Sequence, residues 1–129
     1  MNYRNEDELN YFGSDLNKFT NEFCSKEMVV NNIDMIQFKK LKDKKYIRII
    51  ESKHSNEKTS RGQDYILRVL ASVFKELNGS SKTTHEYGVY IATGDYPYET
   101  AKIKNLVEDK EHTVTQEELI DFLEFRKKY

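Results

Sequence analysis

The feature that most constrains this 129-residue chain is a succession of three apolar segments with different periods. Tyr46-Ile47-Arg48-Ile49-Ile50-Glu51-Ser52-Lys53 is rich in β-branched residues and reads as a strand. A polar loop from His54 to Gly62 follows. Then Ile66, Leu67, Leu70, Val73, Phe74 and Leu77 recur with helical spacing, so Gln63 to Leu77 reads as an amphipathic, core-facing helix stopped by Asn78-Gly79. Tyr87 to Ala92 is again a strand. Strand, helix and strand in this order permit a parallel crossover, which directs the chain to the α/β class.

The flanking segments extend that plan. Phe12, Leu16, Phe19 and Phe23 recur at spacings of four, three and four, which predicts a helix from about Asp7 or Ser14 to Cys24 with its phenylalanines in the core. Met28-Val29-Val30 reads as a short strand, Ile33 to Phe38 as a longer one, and Lys42 to Lys45 as the turn into the Tyr46 strand. Gly94 to Tyr98 is a turn in which Tyr96 and Tyr98 are expected to pack. Ala101 to Val107 reads as a more exposed strand, and Thr115 with Glu118 forms a capping box that opens a last helix through Leu119, Ile120, Phe122 and Leu123. The expected order is α-β-β-β-α-β-β-α, one domain over residues 1–129 with a mixed sheet.

Nine Tyr and seven Phe supply apolar surface for one core, so the mean hydropathy of −0.83 describes a charged surface rather than disorder. One cysteine, Cys24, excludes an internal disulfide, and three scattered histidines are too few for a structural zinc site. The first residues carry Glu6, Asp7 and Glu8 without an apolar run, and no later stretch reaches the length of a membrane span. The expectation is a cytoplasmic protein with no membrane partner.

A net charge of −1 conceals an uneven distribution. Met35 to Arg68 holds ten Lys or Arg and four acids, a local +6, and the remaining residues carry −7. A phosphate backbone at close range meets local charge. Lys39, Lys40, Lys44 and Lys45 on the hairpin, with Arg61 and Arg68 on the following helix, are the candidate nucleic-acid contacts; the acidic regions could serve a protein partner.

The hairpin also gathers chemistry. A turn centred between Asp43 and Lys44 places Asp34 opposite Lys53 and Ile36 opposite Glu51, so Asp34, Glu51 and Lys53 share one sheet face with Ile36, Phe38, Ile47 and Ile49. A slip of one residue would send Asp34 to the other face. Two carboxylates beside an ammonium suit Mg²⁺, a hard ion that takes one or two protein carboxylates and keeps waters and substrate phosphates. The competing reading is a solvated cross-strand ion pair, worth little to stability.

Asp34, followed by the Ile47-Arg48-Ile49-Ile50 strand running into Glu51-Ser52-Lys53, resembles the PD-(D/E)XK nuclease superfamily, whose α-β-β-β-α-β order matches residues 12 to 92. Ile33 stands where many members have proline. The resemblance implies a restriction-endonuclease-like core, with an extra strand and a C-terminal helix added here. It also implies Mg²⁺ or Mn²⁺ held by Asp34, Glu51 and the Ser52 carbonyl, with Glu22 of the first helix as a further acid. Lys53 would be catalytic and Gln63 would support it. The implied activity is phosphodiester hydrolysis in DNA, with a two-fold homodimer as the simplest way to cut both strands. The alternative is a non-catalytic accessory protein on the same fold, of phage or mobile-element type.

Overall fold

The computed structural model describes residues 19, 22–25, 34–80 and 84–129. The chain divides into two compact units, Met1–Asn32 and Ile33–Tyr129. In the first, Phe19, Glu22 and Phe23 are helical, in keeping with the predicted helix. Phe19 and Phe23 are exposed rather than in a core; one turn apart, their rings pack on each other with centroids 4.9 Å apart. Phe12, Leu16 and the expected strand Met28 to Val30 lie outside the described residues.

The second unit is a five-stranded mixed sheet with a helix on each face. Its elements are β1 (Met35–Leu41), β2 (Lys44–Lys53), α1 (Arg61–Asn78), β3 (His85–Thr93), β4 (Thr100–Asn105), β5 (Lys110–Thr115) and α2 (Gln116–Leu123). The strands lie in sequence order; β2 and β3 are parallel and the other neighbours antiparallel. α1 makes the crossover that the strand-helix-strand pattern predicts. Consecutive isoleucines of β2 diverge as strand geometry requires. Ile49 packs with Val89 and Ile91 under Leu67 and Ala71 of α1, whereas Ile50 packs with Tyr90, Ile103 and Val114 under Leu119 and Phe122 of α2. Burial on both faces explains why the adjacent residues Ile49 and Ile50 are both apolar.

Capping fixes both helices in register. Ser60 accepts from the Gln63 N–H at the start of α1, and Thr115 and Glu118 form the reciprocal box that opens α2. At the far end of α1 the Asn78 side chain accepts from the Tyr87 N–H and donates to the Tyr87 carbonyl, both at 2.8 Å, which ties the helix end to β3.

Three expectations are corrected. β5 was not anticipated: Lys110 to Thr115 buries only Val114, so the segment carries no alternation to read, and its strand conformation comes from pairing with β4. The apolar stripe of α1 is narrower than its periodicity suggests. Leu67 and Ala71 are buried and Leu70 and Phe74 pack beside them, but Val73 and Leu77 flank the contact and stay exposed. The third concerns β1, an edge strand on which Ile36 and Phe38 are 64% and 61% exposed, so the apolar layer around the candidate site thins toward that edge.

Candidate active site

The hairpin turn is centred on Lys42-Asp43, two residues earlier in register than expected, with Ile36 opposite Ile49 and Met35 opposite Ile50. Continuing that register sets Asp34 against Glu51 instead of Lys53. A shift of two preserves the alternation of faces, so the grouping of Asp34, Glu51 and Lys53 on one face survives the change in partners. It is the face that α1 covers, at the C-terminal end of β2.

Four of the predicted residues come together there. Glu51 and Lys53 are 4% and 8% exposed, and the Lys53 Nζ lies 3.6 Å from Glu51 Oε1. Gln63, in the first turn of α1, donates from Nε2 to Glu51 Oε1 at 2.5 Å. Ser60-x-x-Gln63 has the spacing of a capping box, but its second half is diverted: the glutamine side chain serves Glu51 in the sheet. Asp34 accepts from the Ser52 N–H at 2.9 Å through Oδ2. β1 pairing ends at Met35, which leaves this N–H without a strand partner, and Asp34 caps it. N–H and C=O of one strand residue point to the same edge, so the Ser52 carbonyl is directed to the side on which Asp34 sits.

The electrostatics of the cluster are unbalanced. Burial, and next the negative charge of Asp34 with a hydrogen bond shared between the two carboxyls, hold Glu51 above the usual carboxylate range. The Gln63 amide and the Lys53 ammonium oppose this only in part. Two hard carboxylates that repel each other, beside an outward-directed carbonyl, form a donor set that fits one divalent cation completed by waters. Among the described residues no group of three or more His, Cys, Asp and Glu side chains is poised to hold a metal, so a cation here would rest on Asp34, Glu51 and backbone oxygen.

Glu57 is a participant that the sequence reading missed. Its Oε2 is 3.5 Å from Lys53 Nζ and its Oε1 accepts from the His54 N–H at 3.1 Å, which, with Lys53, lowers its pKa. The only signal was its place four residues after Lys53, and the intervening loop gave that spacing no meaning. Beside it Asp95 accepts from the Ser55 hydroxyl at 2.6 Å and lies 3.4 Å from His54 Nδ1. Serine and histidine both converge on the acid, so this is a brace between the loop after β2 and the turn after β3, not a nucleophile relay. The Gly94 N–H donating to the Lys53 carbonyl at 2.9 Å reinforces it.

The basic residues divide. Lys39 and Lys44 are on the α2 side of the hairpin, where Lys39 donates to the Glu124 carbonyl at 3.2 Å and Lys44 lies 3.7 Å from Glu86. Lys40 and Lys45 share the face of Glu51. On α1, Arg61 is exposed and Arg68 is paired with Asp64 at 3.1 Å. Glu22 is helical and exposed, and belongs to the first unit. Cys24 is half-buried. Tyr96 projects into solvent, and Tyr98 packs, its ring lying where a side chain at Gly94 would stand. Among the described residues no helix is long and apolar enough to cross a membrane.

Comparison with known proteins returns no matching family model, no similar curated protein and no similar solved structure.

Proposed function

We propose that the chain is a Mg²⁺- or Mn²⁺-dependent nuclease that hydrolyses phosphodiester bonds in DNA, built on a restriction-endonuclease-like core and acting in the cytoplasm. One observation carries the reading: Asp34, Glu51, Lys53 and Gln63, from three successive segments of the chain, converge at the end of β2, with Glu51 and Lys53 buried. Ordinary surface ion pairs do not bury an acid and a lysine this deeply.

In this reading Asp34, Glu51 and the Ser52 carbonyl hold the cation. When bound, the ion supplies an activated water and stabilises charge on the phosphoryl oxygen. Gln63 keeps the Glu51 carboxylate turned toward Asp34. Lys53 orients the attacking water or neutralises the phosphate, and its release from Glu57 is the rearrangement that substrate binding requires. Lys40, Lys45, Arg61 and Arg68 contact phosphates without reading bases. Lys39 and Lys44 lie on the reverse face, where they contact a bent or second strand. A two-fold dimer accounts for cleavage of both strands.

A second reading, a non-catalytic accessory protein on the same fold, has one observation in its favour: the Lys53 ammonium is shared between Glu51 and Glu57. The two are separated by incubating the protein with linear, single-stranded, branched and circular DNA, and with RNA, in Mg²⁺ and in Mn²⁺, while titrating metal by calorimetry. The nuclease reading expects cleavage lost in Lys53→Ala and metal binding lost in Asp34→Ala and Glu51→Ala. Failure of the wild type to cut any substrate, or unimpaired cutting by Lys53→Ala, ends it.

A further inference from the structure

On the opposite face of the sheet, away from the carboxylates, a cavity of about 260 Å³ opens between the N-terminal halves of β2 and β3 and the turn after β4. Arg48 forms part of its wall and is 5% exposed. Nη1 donates to the Phe122 carbonyl at 2.5 Å, and the cation stacks on Phe125 and Phe122, 3.6 and 4.3 Å from their centroids. Phe125 takes a φ of 61°, a left-handed conformation that a side chain rarely adopts, and with it reaches the guanidinium. Among the described residues no carboxylate lies in ion-pair contact with Arg48, although a guanidinium offers five donors.

The charges around the mouth sharpen this point. Glu86 is engaged by Lys128 at 2.9 Å and Lys44 at 3.7 Å, and Glu108 by Lys110 at 3.3 Å. Both acids of the wall are thus paired with lysines, and Glu86 acts on the buried guanidinium only at a distance. Tyr46, Tyr90, His112 and Tyr129 supply ring surface, and Gly88 makes room for the Tyr90 ring, which a Cβ there would meet at 2.5 Å. A volume of about 260 Å³ equals roughly nine water-sized groups at ~30 Å³ each.

We infer that this cavity is a second ligand site, for a free aryl acid, one ring bearing a carboxylate or phosphate, of about nine to eleven non-hydrogen atoms. Its acid group bonds the open edge of Arg48 and its ring lies among the tyrosines. A planar fork recognises carboxylate and phosphate alike, and the size and aromatic lining select a small aryl acid over an inorganic ion. The site shares no residue with the metal cluster and does not rest on the nuclease reading.

The test is a titration of the full chain with benzoate, phenyl phosphate, inorganic phosphate, benzamide and a 5′-phosphorylated oligonucleotide, followed by amide chemical shifts. Benzoate or phenyl phosphate should bind saturably with a Kd on the order of 1 mM, the range open to a ligand this small, and shift Gly88, Tyr90 and Val107. Neutral benzamide should bind at least about tenfold more weakly. Arg48→Met, which removes the charge and keeps apolar packing, should abolish the anion preference. His112→Trp, which fills the mouth and leaves Arg48 in place, should block binding even if the first variant folds poorly. No saturable aryl-anion binding by wild type, equal binding of benzamide, or persistence in both variants overturns the assignment. So does binding of the oligonucleotide alone, which would make this a strand-end site.

Discussion

β2 buries two cations within five residues of each other by opposite means, and the contrast separates a site under electrostatic tension from one at rest. Lys53 sits between Glu51 and Glu57, so two acids share one ammonium, and Asp34 presses on the first of them. Among the described residues no acid contacts Arg48, which is stabilised by rings and a carbonyl. Burial lowers the Arg48 pKa, yet a guanidinium stays charged at neutral pH. The Lys53 cluster has charges that compete and that a ligand could reorganise. The Arg48 sandwich holds its cation on rings and a carbonyl, beside the cavity.

The contrast breaks first at Glu51. Replacement by glutamine keeps shape and removes the charge that Asp34 opposes, so Glu51→Gln should lower metal-dependent cleavage by on the order of 10³-fold, about 4 kcal/mol of barrier. The same variant should melt higher than wild type at pH 7 without divalent cation, because the ionised glutamate is disfavoured in the fold. Parallel cleavage assays and thermal melts check both signs. A drop in melting temperature would show that the cluster is simply a stabilising network.

Removing each cation sharpens the comparison further. Lys53→Met leaves buried carboxylates without their counter-charge and should cost about 3 kcal/mol in urea unfolding. Arg48→Met replaces a cation that no acid balances and should cost no more than ~1 kcal/mol. Equal losses would erase the distinction. Gln63→Ala comes next: it deletes the amide that orients Glu51, and Mg²⁺ affinity should fall by roughly tenfold while the fold persists, as calorimetry can show.

The smallest effect lies outside both regions. The Thr115 N–H, with Lys127 and Tyr129, holds the half-buried Glu118 at a pKa of about 2, below its reference value of 4.5. Stability from this depressed acid is complete above pH 4.5 and is lost as pH falls toward 2. Thr115→Ala should cost about 1 kcal/mol near neutrality. Acid titration of Glu118→Gln should lack the wild-type decline over that window.

Much of the site was legible because its logic is local. Parity along a strand places Glu51 and Lys53 on one face whatever their partners, and the two-residue change in register kept Asp34 with them. Gln63 was legible as a helix opener beside the site. That its side chain forsakes the capping box for Glu51 was not, since this depends on where α1 docks. Glu57 entered through a loop fold that no period encodes. The even sharing of lysines between two faces also eluded a count of charge, because +6 along the chain says nothing about direction.

By itself the sequence determined the alternation that buries Ile49 and Ile50 on opposite faces, the amphipathic period of α1, the Thr115–Glu118 cap and the shared face of the acids and lysine. These follow from the geometry of one element, whose periods are 2 and 3.6 residues. Tertiary structure alone decided that Lys110 to Thr115 is a strand, that Ile36 and Phe38 stand at an exposed edge, and that Arg48 lies beneath Phe125 beside a cavity. Each depends on a partner distant in the chain, and pairing, edge position and stacking arise only once that partner is in place.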